Sequence, residues 1–220
     1  REVDNYYAVL RAIASGSTVN RDIATQTGIP ERSLHYYIQQ LVDIGYVAKR
    51  YPLTGARPTK HHVRYVLEDP ILRFWFYFVF ENLSYIQQMG PRRALRERIR
   101  PKLDSYYGAC FERLCRQALP HLYEREGIDA AFTVGEYWAK DCQIDVVGLR
   151  DDGWTDLGEC KWGKVRSLPK LRDELEAKVA RYPNRRNATI GRRFFLQTMP
   201  SSTPPEVPNA HWHDVDDLYR

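Results

Sequence analysis

The stretch "QIDVVGLRDDGWTDLGECKWGK", residues 143 to 164, decides how the C-terminal half folds. Two runs rich in β-forming residues, Gln143–Leu149 and Thr155–Trp162, flank an Asp-Asp-Gly turn, the pattern of a hairpin. Successive side chains of a strand point to opposite faces, so Glu159 and Lys161 share one face while Cys160 and Trp162 share the other. An ionic face backed by an apolar one fits an ordinary half-buried strand, and equally the edge of a metal-dependent phosphodiesterase site. Asp145 sits as an acid within an otherwise apolar run. If the hairpin pairs, it comes near Glu159 across the ladder, where two like charges repel unless a cation lies between them. That arrangement predicts a divalent metal.

Upstream, Leu103 to Tyr123 is periodic at helical spacing, with Tyr107, Phe111, Leu114, Cys115, Ala118, Leu119 and Leu122 on one side. Glu112 edges that apolar stripe, and a carboxylate there needs a partner. Ala131–Glu136 reads as a further strand, Ser167–Arg181 as an amphipathic helix, "RRFFLQTM" as another strand, and "HWHDVDDLYR" as a closing helix or turn. His211 and His213 with Asp214, Asp216 and Asp217 have the composition of a metal cluster, but no matching spacing occurs elsewhere, and we read the acids as a helix start, where the dipole favours them. The fold class is α/β, a mixed sheet flanked by helices over residues 101–220.

Residues 1–67 show a different pattern. Helices near 5–15, 20–26 and 30–44, the last two separated by the Thr27-Gly28 turn, make a helix-turn-helix. Two strands around a basic Gly/Pro loop complete a winged helix. Arg32, Ser33, His35, Tyr36 and Gln39 fall on the outer face of the recognition helix, and Lys49, Arg50, Arg57, Lys60, His61 and His62 on the wing. Such residues suit DNA phosphates, although a solvated face on a structural linker has the same composition. Residues 68–100 form a connecting segment: an aromatic helix from Ile71 to Met89, expected to be covered on most sides, then the solvated basic run "RRALRERIRPK". Trp75, Phe76 and Phe78 in it read as core rather than as a base-stacking surface.

The net charge of +5 permits a polyanionic partner without requiring one. The four cysteines have no C-x-x-C spacing and read as reduced thiols of a cytoplasmic protein. "ILRFWFYFVF" is too short to span a bilayer and contains Arg73, so no membrane association is expected. The chain begins at Arg1 within a helical pattern, and we expect it to be part of something longer.

Asp145 followed by Glu159-Cys160-Lys161, with Glu112 upstream on a helix, resembles the PD-(D/E)XK (restriction-endonuclease-like) nuclease fold. The words "LRFWFYFVFENLSYI", "YYGACFERLC", "QIDVVGL" and "GECKWGK" more narrowly resemble the C-terminal region of prokaryotic AAA-type (DEXX-box) ATPases, in which this domain follows an ATPase module and a winged helix. No G-x-x-x-x-G-K-[ST] loop occurs here, so the resemblance implies an ATPase module N-terminal to these residues. It further implies that Asp145 and Glu159, with the Cys160 carbonyl, hold Mg²⁺ or Mn²⁺. Lys161 would activate water and stabilise phosphate charge, and Glu112 would help position a second metal or a water. Ile144 stands where the motif has proline, and Gln143 where the narrower family often has an acid. Two functions follow: metal-dependent DNA hydrolysis, or a catalytically silent module coupling an ATPase to DNA or to a protein. An oligomer is compatible with both.

Overall fold

The structure is a computed structural model describing residues 2–57, 59, 62–201 and 203–219. It divides into two compact units, Arg1–Tyr51 with Thr59–Leu103, and Pro52–Pro58 with Asp104–Arg220.

The first unit opens with α1 (Glu2–Ala14), α2 (Asn20–Thr27) and α3 (Glu31–Asp43), followed by the antiparallel pair β1 (Val47–Arg50) and β2 (Arg64–Leu67). Gly28 ends α2 in the left-handed region, at φ 71°, and its N–H bonds back to Ala24. A side chain there would oppose the turn on which the helix-turn-helix depends. The apolar stripes meet in one core of Val9, Ile13, Ile23, Leu34, Ile38, Leu41 and Val47.

Asp69 then caps the next helix, accepting from the N–H groups of Ile71 and Leu72, with Pro70 in the first turn where its missing N–H costs nothing. The expected single helix from Ile71 to Met89 is instead a run of segments that change pitch. It runs as α4 (Pro70–Phe74), a π turn (Trp75–Val79), a 3₁₀ turn (Phe80–Asn82) and α5 (Leu83–Met89). Nor is it covered on most sides: Phe76 and Phe78 are buried, while Ile71 is 81% and Trp75 45% exposed. A π turn holds more residues than an α turn, so it displaces side chains from the face that simple periodicity assigns. Phe76 packs into the core of the helix-turn-helix. After Gly90 the basic run is also helical, as α6 (Pro91–Ala94) and irregular turns to Lys102, with Ala94 and Ile99 turned inward.

In the second unit, α7 (Leu103–Arg125) leads into β3 (Phe132–Ala139), β4 (Cys142–Arg150), β5 (Trp154–Lys161), α8 (Leu168–Val179), β6 (Thr189–Leu196), β7 (Ala210–His213) and α9 (Val215–Tyr219). The sheet order is β3-β4-β5-β6-β7. The first three strands are antiparallel neighbours, and β5, β6 and β7 run parallel, with α8 as the crossover between β5 and β6. The hairpin and the mixed sheet appear as the sequence pattern implies. On α7, however, Tyr107 is 41% exposed and Tyr106 takes the buried place. "AHWH" is an edge strand, with the helix start confined to the acids after it: Asp214 and Asp217 each accept the other's backbone N–H.

Phe111, Cys115 and Leu119 of α7 pack on one face of the sheet with Val146 and Cys160, while Tyr137, Ile144, Val147, Leu157 and Tyr182 fill the other. Ile144 and Val147 share a face despite being three residues apart because β4 carries a bulge. Gly135 pairs with Val147 and Tyr137 with Ile144, so Glu136 alone faces both Asp145 and Val146.

Candidate active site and nucleic-acid interface

The bulge explains where Asp145 points. It takes one residue out of strict alternation, leaving Ile144 and Val147 in one apolar layer, Val146 in the other, and Asp145 released from both. The β4–β5 register pairs Val146 with Gly158, so the next step outward sets Asp145 against Glu159. The Cys160 N–H donates to Asp145 Oδ2 at 3.0 Å. In an extended strand the N–H and C=O of one residue face the same neighbour, which turns the Cys160 carbonyl toward the β4 side as well.

Glu159 is 2% exposed. Its two oxygens are held by two ammonium groups: Lys161 donates to Oε1 at 2.8 Å, and Lys178 of α8 to Oε2. Lys161 also lies 3.5 Å from Glu174. Burial lowers the Lys161 ammonium's hold on its proton, but the bond to Glu159 and the surrounding acids outweigh it and leave that hold strengthened. Glu112 arrives from α7 beside Phe111, which anchors the helix in the core.

Two of these acids resist ionisation. Burial, then the charge of Asp145, pushes Glu112 up to about 7. Burial, then Glu159, pushes Asp145 up to about 6, against the bond from Cys160 N–H. Arg116 answers part of this charge, donating to the Asp145 carbonyl at 2.7 Å and lying 3.9 Å from Glu136. Burial is the larger cause for both carboxylates, and the charge of a neighbouring acid adds to it. The donors, oxygens of Asp145 and Glu159 with a nearby carbonyl, are of the hard kind that Mg²⁺ and Mn²⁺ take, so the residues fit such an ion. The oxygens of Glu112, Asp145 and Glu159 do not all close within 4.8 Å as a set.

The sequence pattern does not by itself single out Lys178, Glu136 or Arg116. Lys178 stands at i+3 from Leu175 and next to Val179, edging an apolar stripe as Glu112 does, and that was the available signal.

Among the described residues, Glu126, His211 and His213 do bring their ligand atoms within 4.8 Å of one another. An arginine already fills the cation's place there: Arg193 Nη1 lies 2.7 Å from Glu126 Oε1 and 3.4 Å from His213 Nε2. Burial, then Arg193, holds the His213 imidazole down at about 4. Arg193 is 1% exposed and its Nε lies 3.2 Å from Asp156, which also accepts from the Tyr123 hydroxyl at 2.6 Å. Two glycines clear the space for this cluster: a Cβ on Gly148 would collide with the Tyr123 hydroxyl, and one on Gly191 with Asp156.

In the first unit, Arg32, Ser33, His35 and Tyr36 lie exposed along α3, Tyr36 by 52%. Gln39 is engaged, accepting from Lys49 at 2.7 Å and donating to Asp43 at 2.6 Å. Arg50 is likewise committed, 2.6 Å from Glu68. Short strands place these cations beside local acceptors, so Lys49 and Arg50 are not free wing cations. Arg57 is exposed, His62 accompanies Thr59 at 2.9 Å, and Lys60 and His61 lie outside the described residues.

The first unit is thus a winged helix-turn-helix, a DNA-binding class of domain, and the second a mixed α/β unit with buried acids at a strand bulge. Comparison with known proteins agrees for the helix-turn-helix. Residues 3–50 match the IclR helix-turn-helix domain, and residues 75–177, which contain Glu112, Asp145, Glu159 and Lys161, match a family described as archaea bacterial proteins of unknown function. An uncharacterized protein of Methanocaldococcus jannaschii is 28% identical over 181 residues, 80% of this chain and 40% of that protein. The chain therefore spans about two fifths of the length of this relative. No solved structure matches it significantly. No helix among the described residues is long and apolar enough to cross a membrane.

Proposed function

We propose that the second unit hydrolyses DNA phosphodiester bonds with a divalent cation, and that the winged helix holds the DNA. The observation that carries this reading is the juxtaposition of Asp145 with Glu159 at a strand bulge, with Lys161 two residues on and Glu112 arriving from α7. Asp145, Glu159 and the Cys160 carbonyl would hold Mg²⁺ or Mn²⁺, which when bound supplies Lewis acidity to the phosphate oxygens.

The chain's own residues do the rest. Lys161 keeps its proton and presents positive charge beside the acids, where it offsets the charge that grows on a phosphate under attack. Glu112, with its raised proton affinity, can take a proton from a water near neutral pH, the range in which a general base is most effective. Phe111 and Cys115 exclude solvent behind it. Arg32, Ser33, His35 and Tyr36 of the recognition helix, and Arg57 of the loop between β1 and β2, would contact phosphates and bases.

The test is cleavage of plasmid and linear DNA with Mg²⁺ or Mn²⁺ by the chain and by Glu159→Ala and Lys161→Ala. Metal-dependent cleavage lost in both variants supports the reading, and cleavage equal in all three overturns it. One observation favours a second reading, a catalytically silent module coupling an AAA-type ATPase to DNA or a protein partner. Glu159 has both oxygens occupied by ammonium groups, the balance expected of a site that has become structural. DNA binding without cleavage, with or without an ATPase module, would favour it.

A further inference from the structure

Glu159 has one buried carboxylate and two lysines, one more than neutrality requires. The two are not equivalent. Lys161 leaves the same strand and keeps Glu174 as a second partner at 3.5 Å. Lys178 comes from the other side of the site, on the crossover helix, and its ion pair is with Glu159. It also lies close enough to Asp145 to act on that group's charge. Lys178 therefore faces the same two carboxylates that a divalent ion would bind, and it carries them at a burial where an unanswered charge is costly.

We propose that Lys178 is the built-in counter-cation of this site: it neutralises Glu159 while no divalent ion is bound, yields Oε2 when one binds, and thereby sets the ion's affinity. The proposal rests on the reading that Asp145 and Glu159 hold such an ion. Two cations that share one carboxylate bind it in competition, so removing one strengthens the other by the same linkage. The flexible four-carbon stem, rooted on α8, lets the ammonium withdraw from Glu159 into solvent without moving the sheet.

The test is calorimetric titration of Mn²⁺ at about pH 8 into the chain and into its Lys178→Met and Lys178→Arg variants. K178M should bind about tenfold more tightly, as expected for a coupling in the usual range, and K178R, which keeps the charge, should bind no more tightly than the parent. Lys178→Gln serves as a second neutral variant should K178M fail to fold. The Mn²⁺-induced rise in unfolding temperature, larger in the neutral variant, gives an independent readout. Binding by the neutral variant alone also supports the counter-cation, in its strongest form. Equal or weaker binding by K178M, with clear binding by the parent, overturns it and leaves the metal-site reading standing. Absence of binding by parent and variants alike overturns both.

Discussion

Replacing Glu112 by Gln tests the electrostatics of the site without assuming any activity. Glu112 is pushed up from an ordinary 4.5 to about 7 by burial and then by Asp145. A displacement of that size corresponds to about 3 kcal/mol against the ionised form. The unfolded chain gives up this proton near its ordinary value, whereas the folded chain keeps it until about 7. The folded state therefore binds the extra proton across that window, and stability falls as pH rises through it. Asp145 at about 6 shares the burden, so relieving one carboxylate eases the other. Glu112→Gln should match the parent near pH 4.5 and exceed its stability by about 1–3 kcal/mol near pH 8, measured by urea unfolding in chelator. Mn²⁺ should flatten the parent's decline with pH and change the variant's less. Equal stability near pH 8, or a decline in the variant as steep as the parent's, refutes the charge crowding on which the site is argued.

Other outcomes follow from the same structure. Arg193→Ala should cost about 3–5 kcal/mol in urea unfolding, because it removes the buried guanidinium that Asp156 and Glu126 share and leaves Arg150 as the cation of Asp156. Tyr123→Phe removes only the hydroxyl that serves Asp156 and should cost about 1–3 kcal/mol. Leu34→Ala, in the core of the helix-turn-helix, should lower stability by about 2–5 kcal/mol while the far-ultraviolet dichroism of the folded chain is retained. Reversing the charges of Arg57 and Lys60 should weaken DNA binding and make it less dependent on salt; unchanged affinity and slope in a fluorescence-anisotropy titration would assign the wing a structural role.

Periodicity alone carries a reader to both units. The α3 stripe of Leu34, Ile38 and Leu41 and the Asp-Asp-Gly hairpin are local patterns, and local patterns survive folding. The opposition of Asp145 and Glu159 was legible for the same reason, since a short turn fixes the register of the strands it joins. What escaped depended on partners distant in sequence. The bulge arises where Glu136 meets two residues of another strand, and no spacing within β4 announces it. Lys178 and Glu159 are brought together only by the crossover helix, and Arg193 finds Glu126 across 67 residues. The π turn at Trp75–Val79 escaped because apolar residues at almost every position leave no stripe by which a change of pitch could be noticed.

The close contact of Gly148 with the Tyr123 hydroxyl, and of Gly191 with Asp156, amounts to a rule of substitution for this fold. A side chain at position 148 and the tyrosine ring at position 123 exclude each other, so a relative that gains the first should carry a residue smaller than Phe at the second and make room at Leu119. Position 191 restricts the acid at 156 in the same way, and losing that acid leaves the buried guanidinium of Arg193 with Glu126 as its remaining anionic partner. The two glycines and the four polar residues would therefore be inherited together or exchanged together, and sequences of relatives can be sorted by that linkage before any is expressed.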